Sequence, residues 1–323
     1  GSKNTDPRHV PGRASRGYIS GKNGKLINFS KSCGSKDCQS DPLQDDEKRP
    51  DNLNVSTLLS SKYEFKPGLE VAILGSYNRS TKRVIGSEAR IDLRDTSALG
   101  GKNTGISFDN ITSPALRKKL EAGAGPDGLK GQHFNLNYTL AEELGVKLYD
   151  ELNESYDLQS QIKGEIGDTW SWRWQNIYSH LQNQSTIIKG EADKLALVNG
   201  IMSGHVKLGK GQELSDYEIS PTYRNQGTMM TSKIVTSGEI YDLGRIFSKG
   251  GPLSLALGTE GQWEDFQFYS DDALVNGGTL SNPTRNYSGE RNVLSAFMEL
   301  SAYPTQSLEL QLAGRFDSYS DVG

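Results

Sequence analysis

The feature that most constrains this chain is a long-range alternation of apolar and polar residues, interrupted at intervals by tight turns. Period two is the signature of a strand whose two faces meet different surroundings. Leu53, Val55, Thr57, Leu59, Tyr63 and Phe65 share one face, and Asn54, Ser56, Ser60, Lys62 and Glu64 the other. A turn at Lys66, Pro67 and Gly68 returns the chain through Leu69, Val71, Ile73, Gly75 and Tyr77. The pattern recurs, so residues 52 to 79, 155 to 179, 233 to 265 and 291 to 319 are expected to form four antiparallel hairpins of one sheet. The connections between hairpins are long, over approximately residues 80 to 154, 180 to 232 and 266 to 290. Short and long connections thus alternate strictly, which outer-membrane barrels do with short periplasmic turns and long external loops. Inside the first long connection, Ser113 as N-cap and Pro114 at the first helical position predict a short surface helix to Ala122.

Composition narrows the choice. Of 323 residues only 34% are hydrophobic, and 36 are glycine; a globular domain carries roughly 45 to 50% apolar residues with glycine included. The formal charge is −4 with no long run of either sign, so nothing asks for nucleic acid. No apolar run is long enough for a membrane helix, a test that a membrane barrel escapes. The alternating runs span about 11 to 13 residues, nearer to a tilted membrane-crossing strand than to a globular one. Lys62, Glu64, Glu70, Lys163, Glu165, Glu260, Glu264, Glu299, Glu309, Arg315 and Asp317 all fall opposite the apolar side, as expected of a wet barrel interior. Tyr63, Phe65, Trp170 and Trp172 lie beside the short turns, and Tyr77, Tyr178, Trp263 and Phe316 about eight to ten residues away, a separation close to that of two aromatic girdles. The expected fold is therefore all-β: an antiparallel up-and-down transmembrane β-barrel, partial, with about eight to ten strands of a larger barrel.

Three runs resemble barrel segments of TonB-dependent outer-membrane receptors: Gly164 to Gln184, Gly250 to Phe266, and above all Arg291 to Gly323. The last carries an Ala-Phe-x-Glu-Leu strand, a Pro turn, Leu-Glu-Leu alternation and Gly-Arg-Phe-Asp-x-Tyr-Ser-Asp. The resemblance implies the bacterial outer membrane, lipid and the TonB complex as partners, no cofactor, and active uptake of a scarce nutrient such as a siderophore or another large solute. It also implies a plug domain and a TonB-contacting motif, neither of which is found in residues 1 to 323, so the chain is expected to be a receptor fragment. No leader peptide opens it, as for a mature or truncated exported protein.

The remaining candidates are few. Cys33 and Cys38 lie in a loop-like context where a local disulfide between them is expected, with a metal site lacking further ligands and two free thiols as the alternatives. His9, His133, His180 and His205 are scattered, and no metal site or catalytic constellation forms, so the chain is not expected to be an enzyme. Asp45/Asp46 and Asp271/Asp272 read as solvated loops. Trp170, Trp172 and Trp174 would suit girdle anchoring, or a stacking platform if the chain were instead a soluble β-sheet carbohydrate-binding module. For substrate contact, the candidates are Phe266, Phe268, Tyr269, Asp271, Asp272, Arg285 and Tyr287, which mix flat apolar area with charge in the third long connection.

Overall fold

The computed structural model describes residues 14–15, 17–21, 24–28, 39–40, 51–93, 105–124, 129, 131–141, 143–208, 212–247 and 249–321. The pair Cys33 and Cys38 lies outside the described residues. Fifteen described strands, β1 to β15 in chain order, make antiparallel sheets. The shortest is a two-stranded pairing of β1 (Ala14–Ser15) with β4 (Gln39–Ser40).

The largest sheet has eight strands: β5 (Asp51–Lys66), β6 (Leu69–Glu88), β10 (Val146–Ile166), β11 (Trp170–Lys189), β12 (Thr222–Asp242), β13 (Pro252–Ser270), β14 (Tyr287–Thr305) and β15 (Leu308–Tyr319). Each pairs with the next in that order, an up-and-down meander with β5 and β15 at its edges. No described sheet closes into a barrel. The four expected hairpins are present, and their short turns all fall at one end. The two-residue turn at Pro67 and Gly68 works because proline presets one turn position and Gly68 supplies φ +80°, which a side chain would disfavour.

The strands are longer than the alternation implied. Seven have 16 to 21 residues and β15 has 12. The long connections shrink accordingly, to residues 89–145, 190–221 and 271–286. Near that end both faces of the sheet carry polar residues, so the hydrogen-bonded ladder continues where the binary pattern has faded. The first connection is not loop-like either. It holds β7 (Arg90–Leu93), β8 (Ile106–Ser107) and β9 (His133–Thr139), which join β2 (Gly17–Gly21) and β3 (Gly24–Asn28) in a second sheet. It also holds the expected helix, α1 (Pro114–Ala124), capped where Ser113 Oγ accepts from Leu116 N at 3.3 Å.

The buried apolar core lies here. Ile19, Ile91, Phe108, Phe134, Leu136 and Tyr138 from the second sheet and its loops pack with Leu197 and Ile201 of α2 (Lys194–Ser203) and with Leu280. All three long connections thus share one cap. Glu191 ties the second and third of them to β10: its fully buried carboxylate accepts from Lys147 Nζ at 2.9 Å, Leu280 N at 2.7 Å, Ala192 N at 3.2 Å and Ser281 Oγ. The approach needs Gly190, at φ +77°, where a Cβ would sit 2.6 Å from the Val146 carbonyl oxygen. Removing one partner of such a pair strands a buried charge at a cost of about 3 to 5 kcal/mol. Glu191→Ala should therefore expose the cap amides to hydrogen exchange while those of β10 to β14 stay protected; unchanged cap protection would contradict this role.

Candidate functional site

The register assigns every strand residue to one of two faces. Across β6, β10 and β11, Tyr77, Tyr156 and His180 lie side by side, as do Gly75, Leu158 and Tyr178. The apolar residues read from the sequence share this face, and nothing described packs over it. Leu53 and Val55 are exposed, Leu59 is 70% exposed and Phe316 71%.

This face changes character at one level. From the short turns up to Tyr77 on β6, Tyr156 on β10 and Trp263 on β13 it carries Val71, Ile73, Leu158, Ile162, Trp174, Ile234, Leu257 and Met298. Beyond that level the same face presents Arg79 and Arg83, Glu154 and Asp150, Gln182, Gln226, Asp265 and Glu290, with Val55, Leu53 and Leu152 among them toward the β5 edge. At the boundary, aromatic bodies point polar tips to the charged side. Tyr77 Oη donates to Glu154 at 3.0 Å, Trp263 Nε1 donates to Glu290 at 3.1 Å, and Tyr156 stacks on His180 with centroids 4.8 Å apart. Beyond it, the Arg83 guanidinium bonds Asp150 at 2.7 Å and holds that carboxyl below its ordinary range despite some desolvation. At about 3.3 Å per residue, the apolar band from Ile166 to Tyr156 runs about 33 Å along the strand. Trp172 lies over Gly164 and Trp170 over Gly238, both at the band's short-turn edge.

The opposite face is mainly polar and charge-paired. Glu70 meets Lys62 at 2.7 Å and Lys163 at 3.3 Å, Asp157 accepts from Ser76 and Ser179, and Glu260 meets Arg315 at 3.2 Å and Lys233 at 3.5 Å. All eleven charged residues assigned to it from the alternation lie on it.

Two aromatic features interrupt this polar wall: Phe297, with Lys233 and Arg315 lying 4.9 and 5.9 Å from its ring centroid, and a group of four rings at the cap end. Tyr223, Phe268, Tyr287 and Phe266 form a chain of rings with successive centroid separations of 6.4, 5.1 and 5.8 Å. Phe266 is 43% exposed and Tyr287 58%. The strands beside Phe266 place Gly227 and Gly289 opposite it, so no side chain flanks it in its own row. In the next rows Asn183, Asn225 and Phe268 align, then Ser185, Tyr223 and Ser270. Ser185 Oγ, Asn225 Oδ1 and Ser270 Oγ are buried and have no hydrogen-bond partner among the described residues. Nearby charges are already matched: Arg291 with Glu264, and Lys82 with Glu151 at 2.9 Å. Tyr149, well above the apolar band, has its hydroxyl pKa pushed up by burial and then by Tyr223 and Glu191.

Of the residues singled out by sequence, Phe266, Phe268 and Tyr287 come together here, on strands and not in a loop. Tyr269 points to the other face, opposite Arg224 in register. Asp271 closes the strand ends, its carboxylate accepting from Thr222 N at 2.7 Å, and Asp272 opens α3 (Asp272–Val275). Arg285 is exposed in the connection. Tyr223, Asn225, Ser185 and the two glycines were missed, because residues 180 to 232 and 266 to 290 read as connections and only strand register brings them alongside β13. No protein-family model matches the chain, and no curated protein sequence matches it. Aromatic pairs of this kind contribute about 0.5 to 1.5 kcal/mol beyond area burial. A double-mutant cycle of Phe268→Ala with Tyr287→Ala, read by chemical denaturation, should give a coupling in that range; additive effects would contradict direct ring packing.

Proposed function

We propose that this chain forms part of the barrel wall of a bacterial outer-membrane receptor of the TonB-dependent type, taking up a scarce nutrient. The observation that carries the reading is the bounded apolar band: one face of a single-layer sheet is largely apolar over a span that would be about 25 Å at a barrel strand's tilt near 40°, edged by aromatic residues, and mainly charged or polar beyond. A face exposed to water along its whole length has no reason to switch at one level. A face crossing a bilayer does, since Tyr and Trp favour the boundary where one end of the ring is apolar and the other wet.

In this reading the short turns face the periplasm, and the strands continue past the outer boundary as a polar collar that carries the cap into the medium. The charge-paired opposite face lines the water-filled interior. The sheet edges β5 and β15 would pair with further strands, because an open edge leaves backbone groups unpaired in lipid. The TonB-type family, the nutrient and energy coupling rest on the sequence resemblance. Transport is assigned to this wall and no catalytic role is. The Trp170, Trp172 and Trp174 rings lie on the apolar band beside Ile162 and Ile234, which favours anchoring in lipid over a water-facing sugar platform.

A cationic side chain at the midplane of a lipid face costs about 2 to 4 kcal/mol, and one on the wet face little. Ile73 sits near the middle of the band, and Gln161 lies at the same level on the opposite face. For the full chain assembled in phospholipid vesicles, Ile73→Arg should lower unfolding stability by about that amount and Gln161→Arg by less than about 0.5 kcal/mol. Equal effects of the two substitutions would overturn the membrane assignment.

A further inference from the structure

We infer that the slot beside Phe266, on the polar face beneath the cap, binds a neutral saccharide. The inference takes this face as the solute-facing wall of the receptor proposed above, but it does not depend on what the apolar face meets.

Four observations converge on the slot. Exposed rings on a wall built mainly of Ser, Asn, Gln and paired charges, with the exposed Leu181 in the same row, are the departure that calls for explanation. The two positions that could cover Phe266 in its own row are glycines, and a Cβ at Gly289 would meet nothing within 4 Å. The slot therefore stays open on the β14 side. Next, the buried polar atoms within two rows of it are unpartnered: Ser270 is 0% exposed and Ser185 6%, and neither hydroxyl has a described partner, while Asn225 Oδ1 can only accept. Unmatched buried groups of this kind cost stability in the empty protein and are matched by a ligand that brings its own donors and acceptors. Finally, the flanking strand charges Arg291, Glu264, Lys82 and Glu151 are neutralised in pairs.

A sugar ring answers all four. Its C–H face lies against an aromatic ring, its hydroxyls donate to Asn225 Oδ1 and exchange hydrogen bonds with serine hydroxyls, and it carries no charge. A peptide answers fewer, because β11 to β14 are interior strands whose backbone groups are engaged in the ladder. Iron-chelating and other anionic solutes would need an uncompensated cation, and the flanking strand cations Arg291 and Lys82 are already paired.

The test is binding of the detergent-solubilised full chain to an array of neutral α- and β-linked hexose and pentose oligomers with their uronic-acid counterparts, followed by titration calorimetry with the strongest neutral member. Binding to at least one neutral oligomer is expected, nearly unchanged when salt is raised to about 0.5 M, since screening weakens only charge-driven association. Gly289→Val, which fills the slot with a strand-compatible side chain, and Phe266→Ala should each weaken it at least about tenfold, with far-ultraviolet circular dichroism unchanged. No neutral oligomer bound, preference for uronic acids that is lost in salt, or wild-type binding by Gly289→Val would each overturn the inference. Failure of the membrane reading would appear separately, as equal effects of Ile73→Arg and Gln161→Arg in vesicles with saccharide binding intact.

Discussion

A sheet one layer thick must satisfy two faces at once, and here nothing described covers the apolar one. Burying a Leu, Ile or Phe side chain is worth about 1.5 to 3 kcal/mol, and that gain is forfeited wherever the residue stays in water. Leu59, Leu158, Leu294, Leu312 and Phe316 are all largely open. The long antiparallel ladder satisfies its own backbone groups but cannot supply an apolar surrounding. The strand length, the alternation and the ring of aromatics at one level are all consistent with a bilayer supplying it.

Where the strands leave that band, the packing problem changes. The three long connections cannot rely on an external apolar phase, so they build a core of their own from Ile91, Phe134, Leu136, Tyr138, Leu197 and Ile201. The buried Lys147 and Glu191 pair joins the sheet to the second and third connections through four donors to a single carboxylate. Charges buried this way add little net stability relative to apolar residues, but they demand one geometry. A cap held in a defined position above the polar wall keeps the aromatic slot accessible from one side.

Much of the sheet was legible in the sequence because a period of two persists wherever one face is apolar. Leu69 to Tyr77 and Leu308 to Phe316 announce themselves. So do the Pro67-Gly68 turn and the Ser113-Pro114 helix start, which depend on neighbours in sequence. The strand ends were not legible: from Arg79 to Glu88, or from Gln182 to Lys189, both faces are largely polar and hydrogen bonding alone continues the strand. The cap was hidden for a different reason. Its core is assembled from short segments around Ile19, Phe134, Ile201 and Leu280, each too brief to show a period. The candidate site was half visible, since Phe266, Phe268 and Tyr287 lie near one another in sequence, whereas Tyr223 and Asn225 reach them only through register.

The most direct measurement of the account is a nitroxide scan of β10 in phospholipid vesicles, with single cysteines introduced from Leu148 to Ile166 in a chain whose Cys33 and Cys38 are replaced. Even-numbered sites from Leu158 to Ile166 should be open to oxygen and closed to a water-soluble nickel reagent. Odd-numbered sites in the same span should show the reverse, and even-numbered sites from Glu154 to Asp150 should switch to nickel accessibility. Nickel accessibility at Leu158 and Ile162 equal to that at Gln159 and Gln161 would contradict a lipid-facing band.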